Sequence, residues 1–307
     1  MVALYERERP TGFNEIIGNE NVINTLSTYV EKKKNNQDHP HVFLFKGPYG
    51  CGKTTIGSIL AKELGSTGSD FREIDSADFR GIDYSREIRR QMLYRPVESS
   101  CRVWLMDECH KMTPDAQEAL LKAFEKTPKH VYFILCTTDP QTMKKTLIDR
   151  CTPFEVQLLN NDEMLKLLRV HTKREGVKLQ KNVYEQIIVT AEGHPRSALV
   201  LLEHVLATDP EDRLEAAKQN KLIETEAIDL CRALIKGNGW GEVSRILKGL
   251  EKADMEHVRL TVLRYCTTVL LSNDNPRAGL IMEHFINPFY NSKFPGLVYA
   301  CYYIHHS

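Results

Sequence analysis

A chain of 307 residues that is 42% hydrophobic and 27% charged has ample material for more than one hydrophobic core. Lysine plus arginine and aspartate plus glutamate both number 41, so the net charge is zero. That excludes a protein whose whole surface grips nucleic acid and leaves local basic patches for any such role. No apolar run reaches the roughly 18 residues of a membrane span, and the charged "MVALYERERP" start does not read as a secretory signal. Eight scattered cysteines without a CxxC pair argue against a zinc cluster and for buried, reduced thiols in a cytoplasmic protein.

In chain order, "NENVINTLSTYV" (19–30) predicts a helix. From residue 40 to 158 short apolar runs alternate with helical patterns: "HVFLF" (41–45), "FREIDS" (71–76), "CRVWLMDE" (101–108), "VYFILCTT" (131–138) and "CTPFEVQL" (151–158). Between the third and fourth runs, "TPDAQEALLKAFEK" (113–126) has amphipathic spacing, a threonine cap and proline at the first helical position. Such alternation predicts an α/β domain, a five-stranded parallel sheet covered by helices on both faces. After residue 160 only helical patterns remain, broken at "ATDPED" (207–212), "GNGWG" (237–241) and "NDNPR" (273–277). The expected division is an α/β domain over 1–159, a small helical domain over 160–208 and an all-helical domain over 209–307.

"GPYGCGKTT" (47–55) follows the first strand and opens a helix, the context in which G-x-x-x-x-G-K-[ST] forms a phosphate loop. Gly47, Gly50 and Gly52 let backbone N–H groups, with Cys51 and Thr55 among them, surround the phosphates of ATP at a helix N-terminus. Lys53 would reach the β- and γ-phosphates and Thr54 would hold Mg²⁺. "VWLMDE" ends in Asp107, suited to the Mg²⁺ shell, and Glu108, suited to polarising a water. Cys109 and His110 sit at the edge of this site without the spacing of a metal pair. Thr137 and Thr138 end the fourth strand, where a hydroxyl could sense the γ-phosphate or simply finish the strand.

These pieces, in this order, resemble the AAA+ ATPase subunits of sliding-clamp loaders: the bacterial gamma/tau type, the small subunits of replication factor C and their phage counterparts. "ERERPTGFNEIIGNENVI" (6–23), the phosphate loop, "MDECHKM", "FILCTTDP", "IDRC", "GHPRSAL" (193–199) and "ALIKGNGWGEVSRIL" (233–247) carry the likeness. The resemblance implies a hydrolytic ATPase with ATP and Mg²⁺ as cofactors, and a collar through which copies of this chain and a companion subunit form a pentameric spiral. Sliding clamp and primer–template DNA would be its partners, with no membrane. Arg150 would be an arginine finger reaching the next subunit's ATP, and Arg196 a lid arginine over its own phosphates, or else a helix-start residue paired with Glu192. Arg9, Pro10 and Ile17 match the box lying against base and ribose, a role compatible with plain packing. Asp149 stands where the family has serine. The segment "LGSTGSDF" (64–71) lacks the zinc module of bacterial gamma-type subunits, so no zinc is expected.

The resemblance also places "DFRGIDYSREIRRQMLYRP" (78–96) along the lumen of the spiral. Arg86 falls on a DNA-contacting position, with Arg80 close by, and Arg89 and Arg90 would share its helix face. The alternative is a solvated face with Glu87 as partner. Clamp contact is expected near "QMLYRP". Competing readings are a branch-migration or helicase-loading motor of the same superfamily and a scaffold subunit that does not hydrolyse ATP. Retention of both Lys53 and Glu108 weighs against the last.

Overall fold

The computed structural model describes residues 3–75, 82–251, 253, 255–289 and 292–306. Two compact units divide it, Met1–Arg213 and Leu214–Ser307. The first contains α1 (Leu4–Arg7), α2 (Glu20–Lys34), β1 (Val42–Lys46), α3 (Lys53–Glu63), β2 (Phe71–Asp75), α4 (Ile82–Gln91), β3 (Arg102–Asp107), α5 (Pro114–Phe124), β4 (Val131–Thr137), α6 (Lys145–Ile148) and β5 (Thr152–Glu155). Three further helices complete it, α7 (Asn161–Arg174), α8 (Lys181–Ala191) and α9 (Pro195–Ala207).

The five strands form one parallel sheet in the order β2-β3-β4-β1-β5. Side chains alternate across a strand, so one sequence run feeds two cores. Val42, Leu44, Trp104, Met106, Phe133 and Leu135 meet Ile88 of α4 and Leu120 and Phe124 of α5. Phe43, Phe45, Val103, Leu105, Tyr132 and Ile134 meet Leu26 and Val30 of α2 and Ile56 and Leu60 of α3. This explains why the central strands read as unbroken apolar runs. Gly57 lets α3 lie close to the sheet, since a Cβ there would stand 2.8 Å from Leu105 Cδ1 and 3.0 Å from Ile134 Cγ2. The last strand is shorter than the expected 151–158. It ends at Glu155, although the Val156 N–H still donates to the Lys46 carbonyl at 2.8 Å. Pro153 is tolerated because this strand is an edge.

Helix ends follow the local chemistry. The Thr113 hydroxyl accepts the Ala116 N–H at 3.3 Å, ahead of Pro114, and Asn160 and Glu163 close a capping box on α7. In the second unit α10 (Arg213–Lys236), α11 (Trp240–Gly249), α12 (Met255–Ser272), α13 (Pro276–Phe285) and α14 (Lys293–His306) enclose Leu230, Leu234, Val262, Phe285, Leu297 and Ile304. The breaks here are narrower than the sequence suggests. Trp240 already begins α11, and Pro276 is the first residue of α13, capped by Asn275.

One buried charge holds the rim of the sheet. Asp70 is fully buried and accepts N–H groups from Val97, Glu98 and Ser99 at 2.8–3.2 Å, with the Arg102 guanidinium at 3.0 Å. Burial opposes its charge, but these donors, that of Glu98 first, outweigh it and keep the carboxyl below its ordinary range. A depressed folded pKa contributes stability that is present above the unfolded value, about 3.9, and lost as pH falls through the folded one. Asp70→Asn is expected to cost about 3 kcal/mol in urea unfolding at neutral pH, because it leaves Arg102 unpaired, and the gap from wild type should close in acid. A gap that is constant with pH would refute this account.

Candidate nucleotide site

The strand order builds the site. With β4 between β1 and β3, the loop after β1, the carboxylates ending β3 and the threonines ending β4 come together at the C-terminal edge of the sheet. A cleft of about 410 Å³ opens there, within the size range of small-ligand sites. Residues 50–56, Asp107, Glu108, Arg9, Pro10, Ile17 and Arg196 line it.

Gly52 adopts φ 101°, which a side chain resists, and turns the loop into the N-terminus of α3. A Cβ on Gly47 would collide with the Val156 carbonyl oxygen. Lys53 is buried and folds back onto its own loop, donating to the carbonyls of Gly47 and Pro48 at 2.9 and 2.8 Å. Cys51 packs beneath the loop. Burial pushes its thiol up, with the Lys53 charge opposing, so it stays a neutral filler.

Asp107 is held at both oxygens, by the Thr54 hydroxyl at 2.7 Å and by the Glu108 N–H at 2.9 Å. A hydroxyl and a carboxylate of this kind are hard oxygen donors and fit Mg²⁺. Glu108 sits in the left-handed region, φ 48° and ψ 39°. Its carboxylate accepts the Thr138 hydroxyl at 3.3 Å and faces His110 Nε2 at 3.3 Å. Thr137 does not reach Glu108. Its buried hydroxyl accepts the Asp139 N–H at 3.0 Å and meets His110 Nδ1 at 3.2 Å. A Thr137 hydroxyl donating to Nδ1 leaves the Nε2–H tautomer directed at Glu108. Glu73, from β2, also lines the cleft. Desolvation raises its pKa, Arg9 opposes the rise and Asp107 adds to it.

The far wall comes from the N-terminal segment and α7. Glu8 accepts from Arg174 at 2.7 Å and lies 3.3 Å from His171, while Arg9 reaches the hydroxyls of Thr55 and Ser58 at 3.2 and 3.4 Å. Pro10, Ile17, Leu159, Leu167 and Val170 give this wall an apolar surface that a base can cover. Arg196, at the start of α9, bonds not to Glu192 but to the hydroxyls of Tyr49 and Tyr5.

Arg150 is elsewhere. It lies at the N-terminal edge of the sheet, beside a hollow lined by Tyr29, Lys32, His39, His41 and Glu125. Thr152 pairs with Phe43, and Gly47 is four residues further along, roughly 13 Å of strand. Its guanidinium bonds Glu125 at 2.7 Å and the Thr146 carbonyl at 3.1 Å. Arg86, Arg89 and Arg90 are exposed on α4, opposite the buried Ser85 and Ile88, and Arg90 pairs with Glu87 at 2.9 Å. Arg80 falls outside the described residues. The sequence left His110 at the margin and gave no role to Tyr5, Tyr49, Glu73 or the Glu8–His171–Arg174 group. Of these only His110, two residues beyond Glu108, carried a positional hint.

A parallel sheet in this order, a phosphate loop after β1, paired acids on β3 and a helical segment whose arginine faces the same cleft define an AAA+ ATPase fold. The fold of solved Thermotoga maritima RuvB, titled a Holliday junction branch migration motor, is similar. Its TM-score is 0.60 at 21% identity, over 74% of this chain and 79% of that one. The family description "DNA polymerase III, delta subunit" matches residues 68–160. The DNA polymerase III subunit gamma/tau of Mycobacterium bovis is 35% identical over 229 residues, 67% of this chain and 39% of that protein. The gamma subunit of Buchnera aphidicola is 32% identical over 66% of this chain and 61% of its own length. The tau subunit of Escherichia coli is 29% identical over 77% and 40%. Over these aligned residues the chain is similar to the gamma/tau-type subunits of DNA polymerase III, and it spans 39–61% of the length of these three relatives.

Proposed function

We propose that the chain is an ATPase subunit of a pentameric clamp loader, using ATP binding to hold a ring-shaped polymerase processivity clamp open and hydrolysis to leave it closed on primer–template DNA. The observation that carries the reading is the split geometry of the site. One cleft gathers Lys53, Thr54, Asp107 and Glu108, the last bonded by Thr138, while Arg150 stands at the other end of the sheet, beyond reach of that cleft. An arginine so placed serves a neighbour's nucleotide, which makes hydrolysis conditional on assembly.

In this reading the loop N–H groups of residues 50–55 and Lys53 bind the phosphates, and Lys53 exchanges its two carbonyl partners for phosphate oxygens. Thr54 and Asp107 would hold Mg²⁺, which when bound neutralises charge on the phosphates. Glu108 takes the proton of the attacking water. Thr138 and His110 fix the orientation of its carboxylate, and Arg196 meets the γ-phosphate. Pro10, Ile17 and the apolar wall receive the base. Division at 159/160 and 208/209 into nucleotide domain, lid and collar is part of the proposal.

Two surfaces fit the partners. Arg86, Arg89 and Arg90 suit sequence-independent contact with the DNA backbone, weakened by salt. Leu93, Tyr94 and Val97 are exposed by 63–80% just beyond α4, an apolar patch suited to the clamp. The test is steady-state ATPase of the assembled complex. Primer–template DNA together with a clamp should raise turnover several-fold, and DNA alone less. Turnover indifferent to the clamp would overturn the loader reading and leave a DNA-driven motor.

A further inference from the structure

Among the described residues Arg196 bonds no carboxylate directly; Glu6 acts on it at one remove, accepting the Tyr5 hydroxyl at 3.1 Å. Arg174, on the same cleft, pairs with the carboxylate of Glu8. Arg196 instead donates from Nη1 to the Tyr49 hydroxyl and from Nη2 to the Tyr5 hydroxyl, each at 3.1 Å. Its guanidinium carbon lies 4.5 Å from the centre of the Tyr5 ring and 6.0 Å from that of Tyr49. The three residues come from three elements: α1, the phosphate loop and the first turn of α9. Arg196 also lies against the loop itself, since a Cβ on Gly50 would stand 3.8 Å from its Cβ.

Neutral phenol oxygens are weaker partners for a guanidinium than anionic oxygens, because they carry no opposing charge and offer no bidentate pairing. They orient the group without a direct ion pair, with the Glu6 carboxylate one hydroxyl away. Two of its five N–H donors point to the tyrosines, so the rest can turn to a phosphate with the ring contacts still in place. The freedom of the long side chain is then lost before nucleotide arrives, which is how a preformed anion receptor gains affinity.

We propose that Tyr5 and Tyr49 are positioning residues for Arg196, a two-phenol cradle that aims the guanidinium at the terminal phosphate and so sets the preference for a nucleoside triphosphate over a diphosphate. This rests on the reading that Arg196 meets the γ-phosphate. Tyr49 occupies a position that the phosphate-loop pattern leaves open, so its hydroxyl is a feature of this chain and not of the motif.

The experiment measures affinities of the full chain for a non-hydrolysable Mg-ATP analogue and for Mg-ADP, by competition with a fluorescent nucleotide. It compares wild type, Arg196→Ala and the double variant Tyr5→Phe/Tyr49→Phe. Phenylalanine keeps both rings and removes only the hydroxyls, and Tyr49 is 63% exposed, so packing is preserved. The double variant is expected to lose about tenfold in triphosphate affinity with diphosphate affinity nearly unchanged, approaching Arg196→Ala. If it keeps the wild-type preference while Arg196→Ala loses it, the cradle is wrong and the role of Arg196 stands. If the double variant weakens both nucleotides equally, the tyrosines only shape the wall and the cradle is again wrong. If Arg196→Ala itself keeps the preference, the phosphate reading of Arg196 falls and the cradle with it.

Discussion

Glu108→Gln is expected to bind Mg-ATP with wild-type affinity and to lose turnover by about a hundred- to ten-thousand-fold, the usual contribution of a general base. Binding rests on groups the substitution does not touch: the loop N–H groups, Lys53, Thr54 and Arg9. Glutamine also preserves shape, since its amide oxygen can still accept the Thr138 hydroxyl that lies 3.3 Å from the carboxylate. What it lacks is the capacity to take a proton. The backbone at Glu108 reinforces the argument. A left-handed conformation at a non-glycine residue costs on the order of 1–3 kcal/mol, and here it sets the carboxylate between Thr138 and His110 at the tip of β3. Phosphate release and equilibrium nucleotide binding, measured on the same preparation, separate the two effects. Glu108→Gln retaining a tenth or more of wild-type turnover would rule out the general-base role.

The fold was legible where a single physical signal dominates. Near-continuous apolar strands at 42–46, 102–107 and 131–137 can only be buried on both faces, and glycines at 47, 50 and 52 with Lys53 at a strand–helix turn fix the phosphate loop. Asp107 and Glu108 followed from their place at a strand end. The strand order was not legible, and with it went every contact that the order creates. His110 meets Thr137 only because β4 lies beside β3, and Tyr5 meets Arg196 only because α1 packs on α9, 191 positions away. No local pattern encodes encounters at that separation. The break at "NDNPR" is present but narrower than expected, because a proline that ends one helix can also open the next, and here Asn275 supplies the cap.

Arg150→Ala is expected to leave ATP binding by the chain intact and to reduce turnover of the assembled complex by about 10³- to 10⁵-fold, the range attributed to an arginine finger. The fold should not suffer. The Arg150–Glu125 pair has side chains 39% and 44% exposed, and pairs of that kind contribute about 0–1 kcal/mol. For the same reason a neighbour's phosphates can draw the guanidinium away from Glu125 at little cost. Arg150→Lys should not restore activity, because an ammonium cannot bridge phosphate oxygens in two parallel hydrogen bonds. The decisive form is a mixing experiment. Complexes assembled from Lys53→Ala chains alone, or from Arg150→Ala chains alone, should both be nearly inactive. In a mixture, an interface can pair an intact phosphate loop on an Arg150→Ala chain with an intact Arg150 from a Lys53→Ala neighbour, and turnover should reappear. An arginine acting on its own chain's nucleotide would give no recovery at any ratio, because each chain would carry one broken half of the same site.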